Sequence, residues 1–446
     1  VLGLGSSEGD STVIRGGFGI AYNRIPVAPL ANARGNPPFF ARYSICCGTS
    51  LSDFSTPFAG GQILYALGAN NSVTSYPRNP ALGQGINPTT GAPNSGSVEI
   101  YGSPQDLPNP YVYTYSLEVQ QELPAKLTAT VGYQGSAGHK LIRLVNQNFL
   151  QPANPSFFAV YFVTPDVNSN FHSLNANLVR RFSGGVQVQA NYRFSRSIDQ
   201  LSYEGPGFVT NQTYPQDNRT ERGLSDFDVK HFFNMSSLYE LPFFRGRRDV
   251  AGKLLGGFSV TGIVTSRTGF PWTPVVFGDG TRTPGGPTLS PFRPQEYTGP
   301  SDLDTSNTAF INGTNFPGGG RPFFVVRKLA DNTVAAPGIG RNIFRGPSYF
   351  NVDMSLVKQT GLPGFLGEAA NLELRANFFN VFNKLNLQPF SFGSTPTKIG
   401  DYCAGCAGAP TAQTPNGGVL TTNPNFGRAE RGLAGRVIEL QARFSF

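Results

Sequence analysis

The side chains whose types could do chemistry in this chain are three histidines, four cysteines and one carboxylate-rich run. His139 sits in GSAGHKL, His172 in NFHSL and His231 in DFDVKHFF, none with a serine or cysteine at a spacing that would build an activated nucleophile. They read as hydrogen-bonding residues of an interface or a loop, and no catalytic residue is expected. YPQDNRTERGLSDFDVKH carries Asp217, Asp226 and Asp228 beside Arg219 and Arg222, with Asp199 upstream. Calcium wants oxygen ligands at fixed offsets and a glycine at the sharp turn, a pattern this run lacks. A charged loop packed against its neighbours fits it better. GGGRP (318–322) does not follow a strand and open a helix, so it suggests no phosphate cradle. Neither a cofactor nor a metal is expected. Cys403 and Cys406, in CAGC, and the adjacent Cys46 and Cys47 could serve redox chemistry, zinc or disulfides, but no βαβ pattern or second ligand pair accompanies them. The choice depends on the compartment, and so on the elements that carry them.

Those elements are strands. The 446 residues include 37 Phe and 17 Tyr, and only 14% are charged, where about a quarter is usual. Mean hydropathy is nevertheless −0.20, because Asn, Gln, Ser, Thr and Gly fill the deficit. That balance fits neither a soluble helical domain nor a helical membrane protein. No stretch approaches the roughly 18 apolar residues of a membrane helix, FFAVYFV (157–163) being among the longest. VLGLGSSEGD, with no basic region before an apolar one, does not read as a signal peptide. The net charge of +8 is scattered, with no basic block longer than three residues, so nucleic acid is not an expected partner.

In GVQVQANYRFS, Val186, Val188, Ala190, Tyr192 and Phe194 alternate with Gln187, Gln189, Asn191 and Arg193. NLELRANF sets Leu372, Leu374, Ala376 and Phe378 against Glu373, Arg375 and Asn377. RVIELQARFSF sets Ile438, Leu440, Ala442, Phe444 and Phe446 against Glu439, Gln441 and Arg443. YVYTYSLEVQ repeats the pattern, and weaker versions bring the count to about ten strands of eight to eleven residues. Soluble sandwich strands average about five or six residues, whereas membrane barrels need about nine to eleven. The gaps alternate too. Long ones lie at roughly 25–109, 136–171, 196–231, 277–347 and 388–431, and short ones at ELPAK (122–126), SGG (183–185), FRGRRDVAGK (244–253) and GLPGFLGEAA (361–370).

Such sorting predicts an all-β, antiparallel transmembrane β-barrel with long extracellular loops and short periplasmic turns. The expected setting is the outer membrane of a Gram-negative bacterium, in contact with its lipid and lipopolysaccharide. On that topology Glu373, Arg375, Asn377, Glu439, Gln441 and Arg443 point into the lumen and their apolar neighbours face lipid. All four cysteines fall in outer loops, where an oxidising milieu favours disulfides. Cys403 and Cys406 can bridge locally or pair across loops, with metal binding and free thiols as the remaining alternatives.

STVIRGGFGIAYNR, PYVYTYSLEVQQELPAKLTATVGYQGSAGHKL, FHSLNANLVRRFSGGVQVQANYRFSRSID, RGLSDFDVKHFFNMSSLYELPF, LELRANFFNVFNKLN and FGRAERGLAGRVIELQARFSF together resemble the carboxy-terminal barrel of TonB-dependent receptors, and among these the Oar-like branch. The resemblance covers essentially the whole chain. It implies the last portion of a barrel of about 22 strands, with the plug and amino-terminal strands absent from residues 1–446, which form a single barrel domain. It also implies energised uptake of a bulky nutrient (siderophore, glycan or peptide) driven by a periplasmic TonB-type protein that engages the missing upstream segments. The terminal aromatics Phe444 and Phe446 resemble the signal read by the barrel-assembly machinery. The alternatives are a surface-exposed adhesion or secretion-associated barrel, or a passive porin.

Overall fold

The computed structural model describes residues 2–5, 11–25, 31, 33, 36, 98–147, 157–202, 212–214, 217–244, 247, 249–278, 291–299, 323–362 and 370–445. Eleven strands follow one another as antiparallel neighbours in chain order: β1 (Leu2–Gly5), β2 (Ser11–Tyr22), β3 (Tyr111–Leu123), β4 (Leu127–Asn146), β5 (Phe157–Ser183), β6 (Val186–Asp199), β7 (His231–Glu240), β8 (Phe258–Arg267), β9 (Tyr349–Gly361), β10 (Asn371–Phe379) and β11 (Val437–Ser445). Ten of them are the alternating segments of the sequence. β1, four residues hydrogen-bonded to the start of β2, adds an eleventh. The path is open, since no pairing joins β1 to β11 among the described residues.

Register turns the separate alternations into two continuous faces. One row of cross-strand partners runs Val13, Gln120, Thr130, Asn177, Asn191, Asn234, Thr265 and Asn351 from β2 to β9. A row on the other face runs Ile14, Val119, Val131, Ala176, Tyr192 and Phe233. Because side chains alternate with a period of two, one slipped residue anywhere would put Gln and Asn among the aliphatics. Glycines set the tightest hairpin: Gly184 and Gly185, at φ 61° and 78°, join β5 to β6 in the two-residue turn whose twist suits antiparallel strands. Between β7 and β8 the connection holds a short helix (Val250–Leu255), N-capped by Asp249, whose carboxylate accepts from Gly252 N at 2.9 Å.

The expected long loop over 136–171 is mostly strand. β4 continues to Asn146 and β5 begins at Phe157, with register breaks around Leu141. At about 3.3 Å per residue, the 27 residues of β5 run about 90 Å, far beyond a hydrocarbon layer of about 30 Å. The hairpin therefore projects past the membrane. It stays paired because Leu144, Val145, Val163 and Val167 are buried along it, which an unstructured loop would not allow. The expected loop over 25–109 lies largely outside the described residues, but the described parts of those over 277–347 and 388–431 fold as well. Pro271–Trp272 pairs Phe344–Arg345, Glu296–Tyr297 pairs Phe324–Val325, and Lys398–Cys403 lies between Val275–Gly278 and Val419–Thr422. Trp272, Phe292, Phe324, Phe344, Phe390, Ile399, Tyr402 and Phe426 form one buried cluster among these pieces. The packed hydrophobic core thus sits in the connections at one end of the sheet.

Candidate functional site

At the loop end the two faces of the sheet have different fates. Ser173, Ser195, Ser197 and Asp199, on the polar face, are buried, while Leu174, Tyr192 and Phe194, on the other, are exposed. What packs on Ser195, Ser197 and Asp199 is the segment 217–230. Ser195 Oγ donates to Val229 O at 2.7 Å, Ser197 N donates to Asp228 Oδ1 at 2.6 Å, and Ser197 Oγ lies 2.8 Å from Ser225 Oγ. The loops therefore fold across the polar face.

Arginines hold them there. Arg341, 6% exposed, ion-pairs with Asp199 and donates to Ser202 Oγ at 2.9 Å, Asp226 Oδ1 at 3.3 Å and Glu221 O at 3.0 Å. Gly223 permits its approach, because a Cβ there would stand 2.5 Å from Arg341 O. Arg345 pairs with Asp228 and also donates to Gly269 O at 3.1 Å. Arg293 and Glu221, both fully buried, meet at 3.1 Å, and Glu221 Oε1 also accepts from Tyr214 N at 2.7 Å. Arg143 grips Asp166 with two nitrogens at 2.7 Å each. Burial strips hydration from the Arg293 guanidinium and lowers its pKa, while Glu221 opposes the shift. Asp217, at the surface, is held below the usual carboxylate range by hydrogen bonds from Arg219. Asp199, Asp226 and Asp228 are therefore tied to guanidinium groups, as a packed charged loop requires. Among the described residues no group of three metal-ligating side chains comes together.

The sequence flagged these aspartates but not their partners. Arg341 lies 142 residues from Asp199 and 115 from Asp226, so no local pattern could join them.

Beside this network opens a crevice of about 560 Å³, lined by Phe227, Phe270, Trp272, Phe390 and Phe392 together with Ser202, Asp226 and Asn342. Asn342 Nδ2 donates to Asp226 Oδ1 at 2.6 Å and Thr273 Oγ1 donates to Asn342 Oδ1 at 2.8 Å, which fixes the polar wall. Aromatic walls with a few convergent polar groups are what a small-molecule subsite offers.

At the end of the sheet Glu373, Arg375 and Asn377 face Arg443, Gln441 and Glu439 as direct cross-strand partners, so the six share one side. Arg375 Nη2 lies 2.9 Å from Glu373 Oε1, and Gln359 Nε2 donates to Glu373 Oε2 at 2.9 Å. Phe444 is opposite Leu372 on the other side, and Phe446 is outside the described residues. Cys403 and Cys406 are joined by a disulfide with Cα atoms 5.4 Å apart, whereas Cys46 and Cys47 lie outside the described residues. The histidines are strand residues, with none in a loop. His172 Nδ1 is 2.6 Å from Tyr133 Oη, His231 Nδ1 is 2.7 Å from Tyr192 Oη, and His139 Nδ1 is 3.1 Å from Asn168 Oδ1.

A meander of strands long enough to cross a bilayer, apolar on one face and polar on the other, defines a membrane-spanning β-barrel wall. The model of the outer membrane beta barrel domain matches residues 2–438, and the chain belongs to that family. It is located in the outer membrane. No curated protein sequence matches it. Among solved structures it is similar to the ferripyoverdine receptor of the Pseudomonas aeruginosa outer membrane, at 13% identity and a TM-score of 0.32 over 64% of this chain and 25% of that one. It is also similar to the outer membrane transporter YddB of Escherichia coli, at 12% identity and a TM-score of 0.38 over 78% of this chain and 34% of that one. The copper transporter OprC matches at 10% identity and a TM-score of 0.32, over 77% of this chain and 34% of that one. The chain thus spans about a quarter to a third of these chains' length.

Proposed function

We propose that this chain supplies part of the wall and outer cover of an energised outer-membrane receptor that takes up a bulky nutrient such as a siderophore, glycan or peptide. The observation that supports it most is the cover itself. Loops pinned over the polar face by arginine–carboxylate pairs, with an aromatic crevice beside them, suit capture followed by gated passage. A passive porin keeps its polar lumen open to water, and nothing in diffusion would call for such a cap. The polar face, including Glu373, Arg375, Asn377, Glu439, Gln441 and Arg443, then lines the lumen. Energy would come from a TonB-type protein acting through segments upstream of this sequence, in keeping with the receptor-like segments named above. The test is uptake by cells that carry the full gene, compared with a strain lacking the TonB-type protein. Loss of uptake and of growth on the cognate nutrient in that strain is expected. Equal uptake in both strains would leave a porin or an adhesion barrel instead.

A further inference from the structure

The crevice beside the arginine network is walled by the rings of Phe227, Phe270, Trp272, Phe390 and Phe392. Among the described residues that line it, Asp226 is the only ionised side chain, and no lysine or arginine takes part. Trp272 and Phe390 meet edge to face, their ring centres 5.4 Å apart and their planes at 72°, so together they form a corner. Both are buried, and Phe344 and Phe426 back the indole at 5.3 and 5.7 Å between ring centres. Phe227, by contrast, is exposed. Phe270 already carries the guanidinium carbon of Arg267 4.2 Å from its ring centre, so it adds packing rather than attraction for a further cation.

Asp226 is only partly neutralised. Its Oδ1 accepts from Asn342 Nδ2 at 2.6 Å and from Arg341 Nη1 at 3.3 Å, and among the described residues no hydrogen bond reaches Oδ2. Arg341 is shared with Asp199, so two carboxylates lean on one guanidinium and one negative charge is left over. The neighbouring pairs Arg345–Asp228 and Arg293–Glu221 balance themselves. With its side chain 37% exposed, Asp226 presents that excess charge at the crevice. Aromatic faces carry the negative side of the ring quadrupole and attract a cation, most strongly a desolvated one. A calcium ion wants about six to eight oxygen ligands, whereas the oxygens of Ser202 and Asn342 are already engaged with Asp199 and Thr273. An N-methylated ammonium needs no such set, because its methyl groups spread the charge and pack against rings.

We infer that the crevice binds a quaternary ammonium compound free of phosphate, its methyl groups in the corner of Trp272 and Phe390 and its charge against Asp226. The proposal rests on the reading of the chain as a receptor, but binding is measured without uptake, so either can fail alone. The full protein, extracted from outer membranes in a maltoside detergent, is titrated with choline and with neohexanol, its neutral isostere with carbon in place of nitrogen. The line widths of their methyl proton signals give the two Kd values. Choline should bind roughly tenfold more tightly or better, the gain expected from a cation over aromatic faces beside a carboxylate. Phe227→Leu, which keeps apolar bulk and removes the ring, should weaken choline severalfold and leave neohexanol unchanged. Phe243→Leu, an exposed position in the connection between β7 and β8, should change neither. Equal affinity of the unmodified protein for choline and neohexanol would overturn the proposal without reliance on any variant. Glycerophosphocholine binding as tightly as choline would overturn the assignment to a phosphate-free cation.

Discussion

Replacing Arg341 with alanine removes one guanidinium that four residues accept from: Asp199, Ser202, Glu221 and Asp226. Asp199, 4% exposed, loses its ion pair, Glu221 O and Ser202 Oγ lose the Arg341 donor at 3.0 and 2.9 Å, and Asp226 Oδ1 keeps only the Asn342 amide. Breaking a buried pair on one side costs about 3–5 kcal/mol, because the remaining charge stays in the interior uncompensated. At about 1.4 kcal/mol per tenfold, opening of the cover should become roughly two to three and a half powers of ten more frequent. Hydrogen exchange reads this directly at Ser225 N, which donates to Ser197 O at 3.0 Å, and at Ser197 N, which donates to Asp228. Both amides should exchange faster, while those at the turn ends of β10 and β11 keep their rates. Arg341→Lys should fall between, since an ammonium cannot reproduce a fork that spans Asp199, Ser202 and Glu221. Arg219→Ala, at an exposed pair with Asp217, should change nothing measurable. Unchanged protection of Ser197 and Ser225 in Arg341→Ala would refute the view that these arginines pin the loops to the sheet.

Leu440, 83% exposed on the apolar face, should tolerate arginine badly, at about 2–4 kcal/mol near mid-membrane in a urea titration of vesicle-folded protein, whereas Gln441→Arg should be close to neutral. Asp249 has its pKa lowered by the Arg247 hydrogen bond and then by that of Gly252 N, so the cap stabilises its helix above the ordinary carboxylate range and fails as pH falls through the depressed value. Exchange at Gly252 N should therefore accelerate in acid, and Asp249→Asn should flatten that dependence. Cys403→Ser opens a loop of four residues, worth about 2 kcal/mol by chain entropy, and should loosen the pairing of Cys403 with Val419 as seen by exchange at Val419.

How much of this was legible in the sequence follows from the range of each interaction. The wall was, because alternation is local: Val186 to Phe194 and Ile438 to Phe444 declare their faces within one strand, and the register then joins Glu373 to Arg443 with no further information. The hairpin of β4 and β5 was not, because its outer part breaks register near Leu141 and its apolar run FFAVYFV has no period of two. The site was half legible. Composition exposed the aspartates of YPQDNRTERGLSDFDVKH, but Arg341, Arg345 and Arg293 reach them only after the connections fold back, and nothing within a strand's length signals that return. The histidines were visible as residues without partners for catalysis. Only pairing across strands shows that all three share one face with tyrosines.

The central claim is that the polar face looks into the barrel and the apolar face looks at lipid. Spin labels on single cysteines at Leu374, Arg375, Leu440 and Gln441, four neighbours on β10 and β11, test it most directly in protein embedded in a bilayer. Labels at Leu374 and Leu440 should be accessible to oxygen dissolved in the hydrocarbon and shielded from a water-soluble nickel chelate, with the reverse at Arg375 and Gln441. A reversed pattern, or no alternation between the neighbours, would contradict the account.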